Sequence, residues 1–122
     1  MLTPIQPTLI QGGKVLSTGK DYTIDGPLIS AIAYLQTGDC GFNGENCTLI
    51  ETTLENVAPG NAGSLTGVSL TPPHKFSVTS GFGYYYGCDG AGADCDHPGC
   101  PAASAPVSCK AENVNLAITF CD

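Results

Sequence analysis

Charged residues are scarce in this chain, and neither arginine nor tryptophan occurs. Only 12% of the 122 residues are charged, and eleven acids face four lysines, so the net charge is −7. An average domain has about 25% charged residues. Because this charge repels nucleic-acid phosphates and anionic lipid headgroups, we expect no nucleic-acid partner and no membrane partner.

Long apolar runs are also missing. No stretch approaches the roughly 20 apolar residues that a membrane-spanning helix needs. The first residues, MLTPIQP, lack the basic start and the apolar region of a signal peptide. The seven cysteines are nevertheless typical of a short protein from an oxidising compartment. We therefore expect a secreted, extracellular protein whose secretory segment has been removed.

Glycine and proline are abundant, with 16 and 9 residues respectively. So many chain breakers argue against long helices, and the 42% hydrophobic content argues against disorder. Short strands joined by many turns satisfy both conditions. The sequence therefore predicts a single all-β domain over residues 1–122.

Alternating and β-branched segments indicate where the strands lie. The clearest alternation is at 114–120, where Val, Leu, Ile and Phe are separated by Asn, Ala and Thr. Further strands are predicted at 8–16 (a hairpin around Gly12-Gly13), 20–24, 28–36, 48–54, 65–71 and 75–79. At 28–36 a short helix is the alternative, because periodicity does not separate the two. Core strands within 8–80 and 111–121 leave 81–110 as a cysteine-rich lobe with little regular structure.

Five segments resemble, in the same order, segments of the thaumatin-like family. They are 16–24 (LSTGKDYTI), 32–34 with 40–47 (IAY and CGFNGENC), 48–54 (TLIETTL), 68–70 with 76–78 (VSL and FSV), and 119–121 (TFC). Together they cover about half of the chain, and the chain looks closest to small secreted fungal members sometimes called glycopeptide proteins. The resemblance implies a flattened β-sandwich with a disulfide-rich loop lobe.

The odd number of cysteines leaves one thiol over, and the residues alone do not say which one. In thaumatin-like chains the closing cysteine pairs with one near the N-terminus, which this chain lacks. The resemblance therefore implies that Cys121 is a free thiol. It also implies a seam between the two termini that is either open in a monomer or closed in a homodimer associated through Cys121.

The other six cysteines form three bridges. We expect Cys40–Cys47 to close a short hairpin. In the lobe we prefer Cys95–Cys100, which the Pro98-Gly99 turn brings together, nested inside Cys88–Cys109. The alternative is the sequential scheme, Cys88–Cys95 with Cys100–Cys109.

One candidate site follows from the family's acidic cleft, which in some members is linked to binding or weak hydrolysis of β-1,3-glucan. Glu51 matches the cleft glutamate, but Gly67 stands where the next acid is expected, and the chain has no arginine. A glycosidase needs two carboxylates. The second would have to come from Asp89, Asp94 or Asp96, so an enzyme is not the preferred interpretation.

A second candidate site is the aromatic run 82–86 (FGYYY). In an extended chain Tyr84 and Tyr86 share one face and Tyr85 takes the other. Aromatic rings with hydroxyl tips suit sugar rings and interfaces. We therefore take Phe82, Tyr84 and Tyr86, with Glu51, as ligand-binding candidates. The competing interpretation is that at least one ring packs under the lobe.

Two further motifs have simple interpretations. Residues 94–100 (DCDHPGC) combine cysteine, histidine and carboxylates, but Cys-x4-Cys with one histidine is not a zinc pattern, so we expect a disulfide, no metal and no cofactor. Asn46-Cys47-Thr48 is a glycosylation sequon, which makes Asn46 a candidate site.

Taken together, the sequence predicts a secreted, non-catalytic protein that binds carbohydrate, such as cell-wall β-glucan, or serves in defence. The resemblance also implies two alternatives. One is a sweet-tasting protein that binds a taste receptor at a cell surface, although such activity is associated with a basic surface. The other is a weak endo-β-1,3-glucanase.

Overall fold

The computed structural model describes residues 6–121, and these residues form an all-β fold, as the sequence predicts. The strands are β1 (Gln6–Gln11), β2 (Lys14–Ser17), β3 (Leu28–Gln36), β4 (Leu49–Leu54), β5 (Ser64–Ser69), β6 (Ser80–Tyr85), β7 (Gly92–Cys95), β8 (Val107–Cys109) and β9 (Asn115–Phe120). One 3-10 helix, Pro101–Ser104, lies between β7 and β8. No helix within residues 6–121 has the length and apolar character needed to cross a membrane.

Two antiparallel sheets of unequal width face each other. The wide sheet has the strand order β2-β1-β3-β4-β5-β8, and the narrow sheet has the order β7-β6-β9. With strands about 4.8 Å apart, the wide sheet spans about 24 Å and the narrow sheet about 10 Å. The narrow sheet therefore cannot cover the whole inner face of the wide one.

The main core lies where the two sheets overlap. Ile50 of β4 and Val68 of β5 pack with Phe82 of β6 and with the half-cystines Cys95 and Cys100. β6 lies over β4, and the 3-10 helix lies over β5. The overlap is thus at the β4-β5-β8 half of the wide sheet, and the inner face of β1 and β2 extends beyond the narrow sheet.

A second, smaller cluster lies on the outer face of the wide sheet. Ile10, Tyr34 and Leu49 are buried there, and Cys40 packs against them. The hairpin closed by the Cys40–Cys47 disulfide covers this cluster, and the Tyr34 hydroxyl donates a hydrogen bond to the Phe42 carbonyl at 2.7 Å. Both faces of β3 and β4 are therefore partly buried, which accounts for the nearly continuous apolar run of β3.

The structure pairs the cysteines in the nested scheme. The bridges are Cys40–Cys47, Cys88–Cys109 and Cys95–Cys100, and Cys121 is free and exposed. Cys88 follows the narrow sheet and Cys109 ends β8 at the edge of the wide sheet, so this bridge ties the two sheets together. Cys95–Cys100 lies inside the core and ties β7 to the 3-10 helix.

Strands are present at the predicted segments 8–16, 28–36, 48–54, 65–71 and 114–120. The β1–β2 hairpin turns at Gly12 and Gly13, both at positive φ. The predictions at 20–24 and 75–79 are wrong, because neither segment is a strand. At 75–79 side chains replace the ladder: the Ser77 N–H donates to Thr48 Oγ1 at 2.9 Å. Residues 20–24 are exposed and border an open groove, described below.

The prediction of little regular structure at 81–110 is also wrong. β6 and β7 form the centre and one edge of the narrow sheet, and β8 is an edge of the wide sheet. Glycine made this segment look irregular, but it permits the pairing: a side chain on Gly92 would collide with the Phe82 carbonyl of the neighbouring strand. Phe82 and Tyr84 alternate with glycine, which is a period-2 pattern with small outward residues.

Candidate functional site

A groove of about 990 Å³ opens where the narrow sheet stops short of the wide one. Its floor is the inner face of β1, β3 and β4, including Leu9, Ala33 and Thr52. One wall is β9, with Leu116, Ile118 and Phe120, and the other is the segment 19–27 between β2 and β3. These three β9 side chains are only half-buried because they border the open groove.

The aromatic run is divided between the core and the surface. Phe82 and Tyr84 are only 6% and 3% exposed, so their assignment as ligand-binding residues is wrong. Both point into the core, where their rings meet edge to face at 6.4 Å. Tyr85 and Tyr86 are 43% and 76% exposed.

Tyr86 does not share a face with Tyr84 because β6 ends at Tyr85. Tyr86 has a φ of 57°, so the chain turns there instead of continuing the alternation. The turn brings its ring to 5.1 Å from the ring of Tyr85, tilted by 54°. Tyr85 lines the end of the groove. The surface aromatic feature is therefore the pair Tyr85–Tyr86, which we call the tyrosine pair.

Asparagine side chains surround the same end of the groove. Asn56 Nδ2 donates to Asn113 Oδ1 at 3.2 Å, and the Asn113 N–H donates to Asn56 Oδ1 at 2.8 Å, which joins the end of β4 to the start of β9. Asn61 and Asn115 also line the groove. Among residues 6–121, Asn61 Oδ1 is the only buried side-chain oxygen or nitrogen without a hydrogen-bond partner.

Sequence reasoning missed these amides because asparagine in loops is usually assigned to turns. The alternation at 114–120 places Asn115 on the face opposite Leu116, so it gives no signal that Asn115 also lines the groove. The alternation predicted for 82–86 places Tyr85 on the face opposite Tyr84, as the structure has it, but the prediction that the Tyr84 face is the exposed one is wrong.

Glu51 does not belong to the groove. It lies in β4 between Ile50 and Thr52, which face the narrow sheet and the groove, so its exposed side chain projects from the outer face of the wide sheet. The structure therefore does not bring Glu51 together with the tyrosines. The predicted residual cleft at Glu51 is not part of this groove, because one strand position reverses the direction of the side chain, and a ligand-binding role of Glu51 stays a prediction.

Asp94, one of the aspartates proposed as a carboxylate partner for Glu51, lies on a different face of the molecule. Asp94 is exposed in β7 between Ala93 and Cys95, which face the core, so it projects from the outer face of the narrow sheet. Facing sheets are about 10 Å apart, and the two glycosidase carboxylates are separated by at most about 9.5 Å with sugar between them. Glu51 and Asp94 thus have the whole core between them and cannot share a scissile bond.

The segment 94–100 is held by its disulfide and by one polar contact. His97 Nδ1 lies 2.6 Å from Asp96 Oδ1 on the surface. The hydrogen bond from His97, reinforced by the charge of its ring, lowers the pKa of Asp96. Within residues 6–121 no group of three or more His, Cys, Asp or Glu side chains is arranged to hold a metal ion.

Asn46 is exposed and has a φ of 70°, whereas the hydroxyl-bearing Thr48 of its sequon is only 1% exposed. Thr48 Oγ1 accepts the hydrogen bond from Ser77 noted above. Attachment of a glycan at Asn46 would therefore have to precede folding, and glycosylation stays a prediction.

Tyr84 is the polar anchor of the core. Its hydroxyl oxygen lies 2.8 Å from the Val107 carbonyl oxygen and 2.9 Å from Thr66 Oγ1, which lies 2.7 Å from Thr52 Oγ1. Burial raises the pKa of the Tyr84 phenol, while the hydrogen bond with Thr66 opposes this rise in part. The contacts join β6 of the narrow sheet to β5 and β8 of the wide sheet.

This arrangement predicts alkaline unfolding that depends on Tyr84. The unfolded chain loses the phenol proton near pH 10, but the folded protein keeps it to higher pH. The stabilisation is complete below about pH 10 and is lost as the pH rises through the folded-state pKa. Tyr84→Phe should therefore flatten the decline in the free energy of unfolding above pH 10.

The same substitution should lower that free energy by about 1–3 kcal/mol at pH 7, since it removes a buried hydroxyl and its hydrogen bonds. Urea unfolding between pH 7 and pH 11 measures both effects. Tyr22→Phe, at an exposed tyrosine, is the control and should change neither. An unchanged alkaline slope in Tyr84→Phe would contradict the prediction.

A scan against protein-family models, a search of curated proteins and a search of solved structures each give no match.

Proposed function

We propose that the protein is a secreted, non-catalytic carbohydrate-binding protein that takes a β-glucan at the tyrosine pair. The observation that carries the proposal is the exposed pair of rings beside the amide-lined end of an open groove. Three disulfides in a chain of 122 residues support the secreted location, because such bridges persist in oxidising compartments.

The chemistry of the site suits a neutral sugar. Tyrosine rings offer apolar faces to the C–H groups of a pyranose and carry hydroxyls at their tips. Asparagine amides provide both donors and acceptors for sugar hydroxyls. Asn61 Oδ1 is an acceptor that lacks a partner, so a small shift of its loop would offer it to a sugar hydroxyl.

We further propose that the chain is thaumatin-like. Support comes from the order of the five matched segments, together with the two facing antiparallel sheets and the free Cys121. The matched segments 32–34, 48–54 and 68–70 overlap three consecutive neighbours of the wide sheet, β3, β4 and β5.

Binding to soluble laminarin, a β-1,3-glucan, tests the carbohydrate proposal. Tyr85→Ala and Tyr86→Ala should each weaken binding by about two- to tenfold, since each removes a stacking surface worth about 0.5–1.5 kcal/mol. Glu51→Gln is the matched control, because this exposed side chain lies on the outer face of the wide sheet. It should leave the affinity unchanged.

Titration calorimetry gives the affinities, and reducing-sugar release is measured on the same samples. Absence of laminarin binding, or full binding by both tyrosine variants, would refute the proposal. A loss of affinity in Glu51→Gln alone would move the site to the outer face. Release of reducing sugar by the parent protein would refute the non-catalytic interpretation.

A further inference from the structure

β9 has an unpaired edge. It pairs with β6 on one side and with no described strand on the other. The Cys121 N–H donates to the Thr79 carbonyl, so odd-numbered residues of β9 direct their backbone groups towards β6. Because these directions alternate in an antiparallel ladder, the N–H and C=O groups of Leu116, Ile118 and Phe120 point to the open side.

This edge lacks the devices that usually prevent strands from pairing. The six residues of β9, NLAITF, include no charged residue and no proline. The other edge strands are short or charged: β2 has four residues and contains Lys14, β7 has four and contains Asp94, and β8 has three. Natural sheets protect long edges with charges, proline or bulges. β9 therefore has the features of a strand that pairs with a neighbour on both sides.

The groove beside β9 has room for one additional strand. Its floor is the inner face of β1 and β3, and the side chains of Leu116, Ile118 and Phe120 already lean over it. The opposite wall presents Tyr22 and Ile24, which are exposed apolar side chains. A strand paired with β9 would bury one apolar face against Leu9 and these walls.

A second copy of this chain does not fit the edge. Antiparallel pairing of β9 with its own copy across a two-fold axis would put both wide sheets on the same side of the joined narrow sheets. Each wide sheet already extends past β9, so the two would overlap. The net charge of −7 on each copy adds repulsion. Edge-to-edge pairing of two copies through β9 is therefore disfavoured, whereas a single extended strand fits beside β9.

The charge around the groove selects the kind of strand. The charged residues that line it are Lys20, Asp21, Asp25 and Glu55, three acids against one base. The inward side chains of a guest strand would meet the apolar floor and walls, which leaves its outward side chains to complement the acidic residues. Charge complementarity therefore favours basic residues at the outward positions.

We propose that β9 and its groove bind an extended segment of a partner protein, in which apolar residues alternate with basic ones, as a fourth, antiparallel strand of the narrow sheet. Main-chain hydrogen bonds to Leu116, Ile118 and Phe120 provide affinity, and the apolar face provides register. The proposal does not depend on glucan binding, which uses the tyrosine pair at the end of the groove.

The test uses the capped hexapeptide Lys-Val-Lys-Val-Lys-Val and amide hydrogen exchange measured by NMR. We expect exchange at Leu116, Ile118 and Phe120 to slow by about tenfold or more on saturation, whereas Ala117 and Thr119 should not change. N-methylation of the three valines, whose N–H groups face β9 in an antiparallel pair, should abolish binding. The Glu-Val counterpart should bind at least about tenfold more weakly.

Protein variants locate the site. The double variant Asp21→Asn/Asp25→Asn should weaken binding of the basic peptide several-fold, and Asp94→Asn, on the outer face of the narrow sheet, should not. Equal binding of the N-methylated peptide, or slower exchange at odd and even positions alike, would overturn the proposal. Slow exchange of the three edge amides without peptide would also overturn it. Sedimentation at two concentrations would then show whether a second copy or the chain itself fills the edge.

Discussion

Removal of the Cys88–Cys109 disulfide, by Cys88→Ala/Cys109→Ala, is expected to lower the free energy of unfolding by about 3 kcal/mol. The bridge spans 21 positions of sequence, the longest loop closed by a disulfide in the described residues. The chain-entropy relation gives about 3 kcal/mol for a loop of this length. Cys109 is also buried at the edge of the wide sheet, so the bridge holds one end of the narrow sheet against it.

The Cys40–Cys47 bridge is the control for this prediction. It spans only 7 positions and closes a hairpin on the outer face, away from the contact between the sheets. The same relation gives about 2 kcal/mol for its removal. Urea unfolding of both double variants provides the comparison. A larger loss from Cys40→Ala/Cys47→Ala than from the long bridge would contradict this account of the fold.

Phe82→Ala is expected to cost more, about 3–5 kcal/mol, because truncation of a buried aromatic side chain leaves a cavity as well as lost contacts. Phe82 lies in the main core between β4 and the 3-10 helix and meets Tyr84 edge to face. Tyr86→Ala, four residues later in the same aromatic run, should change the free energy of unfolding by about 0.5 kcal/mol or less, since its side chain is mostly exposed.

Thermal and urea unfolding of these two variants test the division of the aromatic run into core and surface. If Tyr86→Ala destabilised the protein as much as Phe82→Ala, the tyrosine pair would be structural, and the glucan proposal would lose its site. If Phe82→Ala had the same free energy of unfolding as the parent protein, Phe82 would not be part of the main core.

The sequence predicts more of the fold than of the candidate site. An apolar run located β3, threonine with β-branched residues located β4, and alternation located β9, because each of these strands buries at least one face in part. The segment 20–24 has the same local pattern but no partner strand, and local alternation contains no information about partners. The high glycine content of 80–95 predicted irregular structure, whereas the alternation of Phe82 and Tyr84 with glycine is the pattern that indicates β6.

The site depended on directions that a list of residue types does not fix. A turn at Tyr86 placed its ring beside Tyr85 instead of beside Tyr84. One strand position placed Glu51 on the outer face of the wide sheet. The groove itself arises from the difference in width between two sheets, which depends on how distant strands pair and has no local sequence signature.

The narrow sheet ends at β9 and leaves a groove over β1 and β3. Amide hydrogen exchange of the free protein tests this arrangement most directly. Ala117, Thr119 and Cys121, which face β6, should exchange slowly, and Leu116, Ile118 and Phe120 should exchange much faster. Uniformly slow exchange along β9 would show that the edge is already covered, and it would contradict both the open groove and the strand-binding proposal.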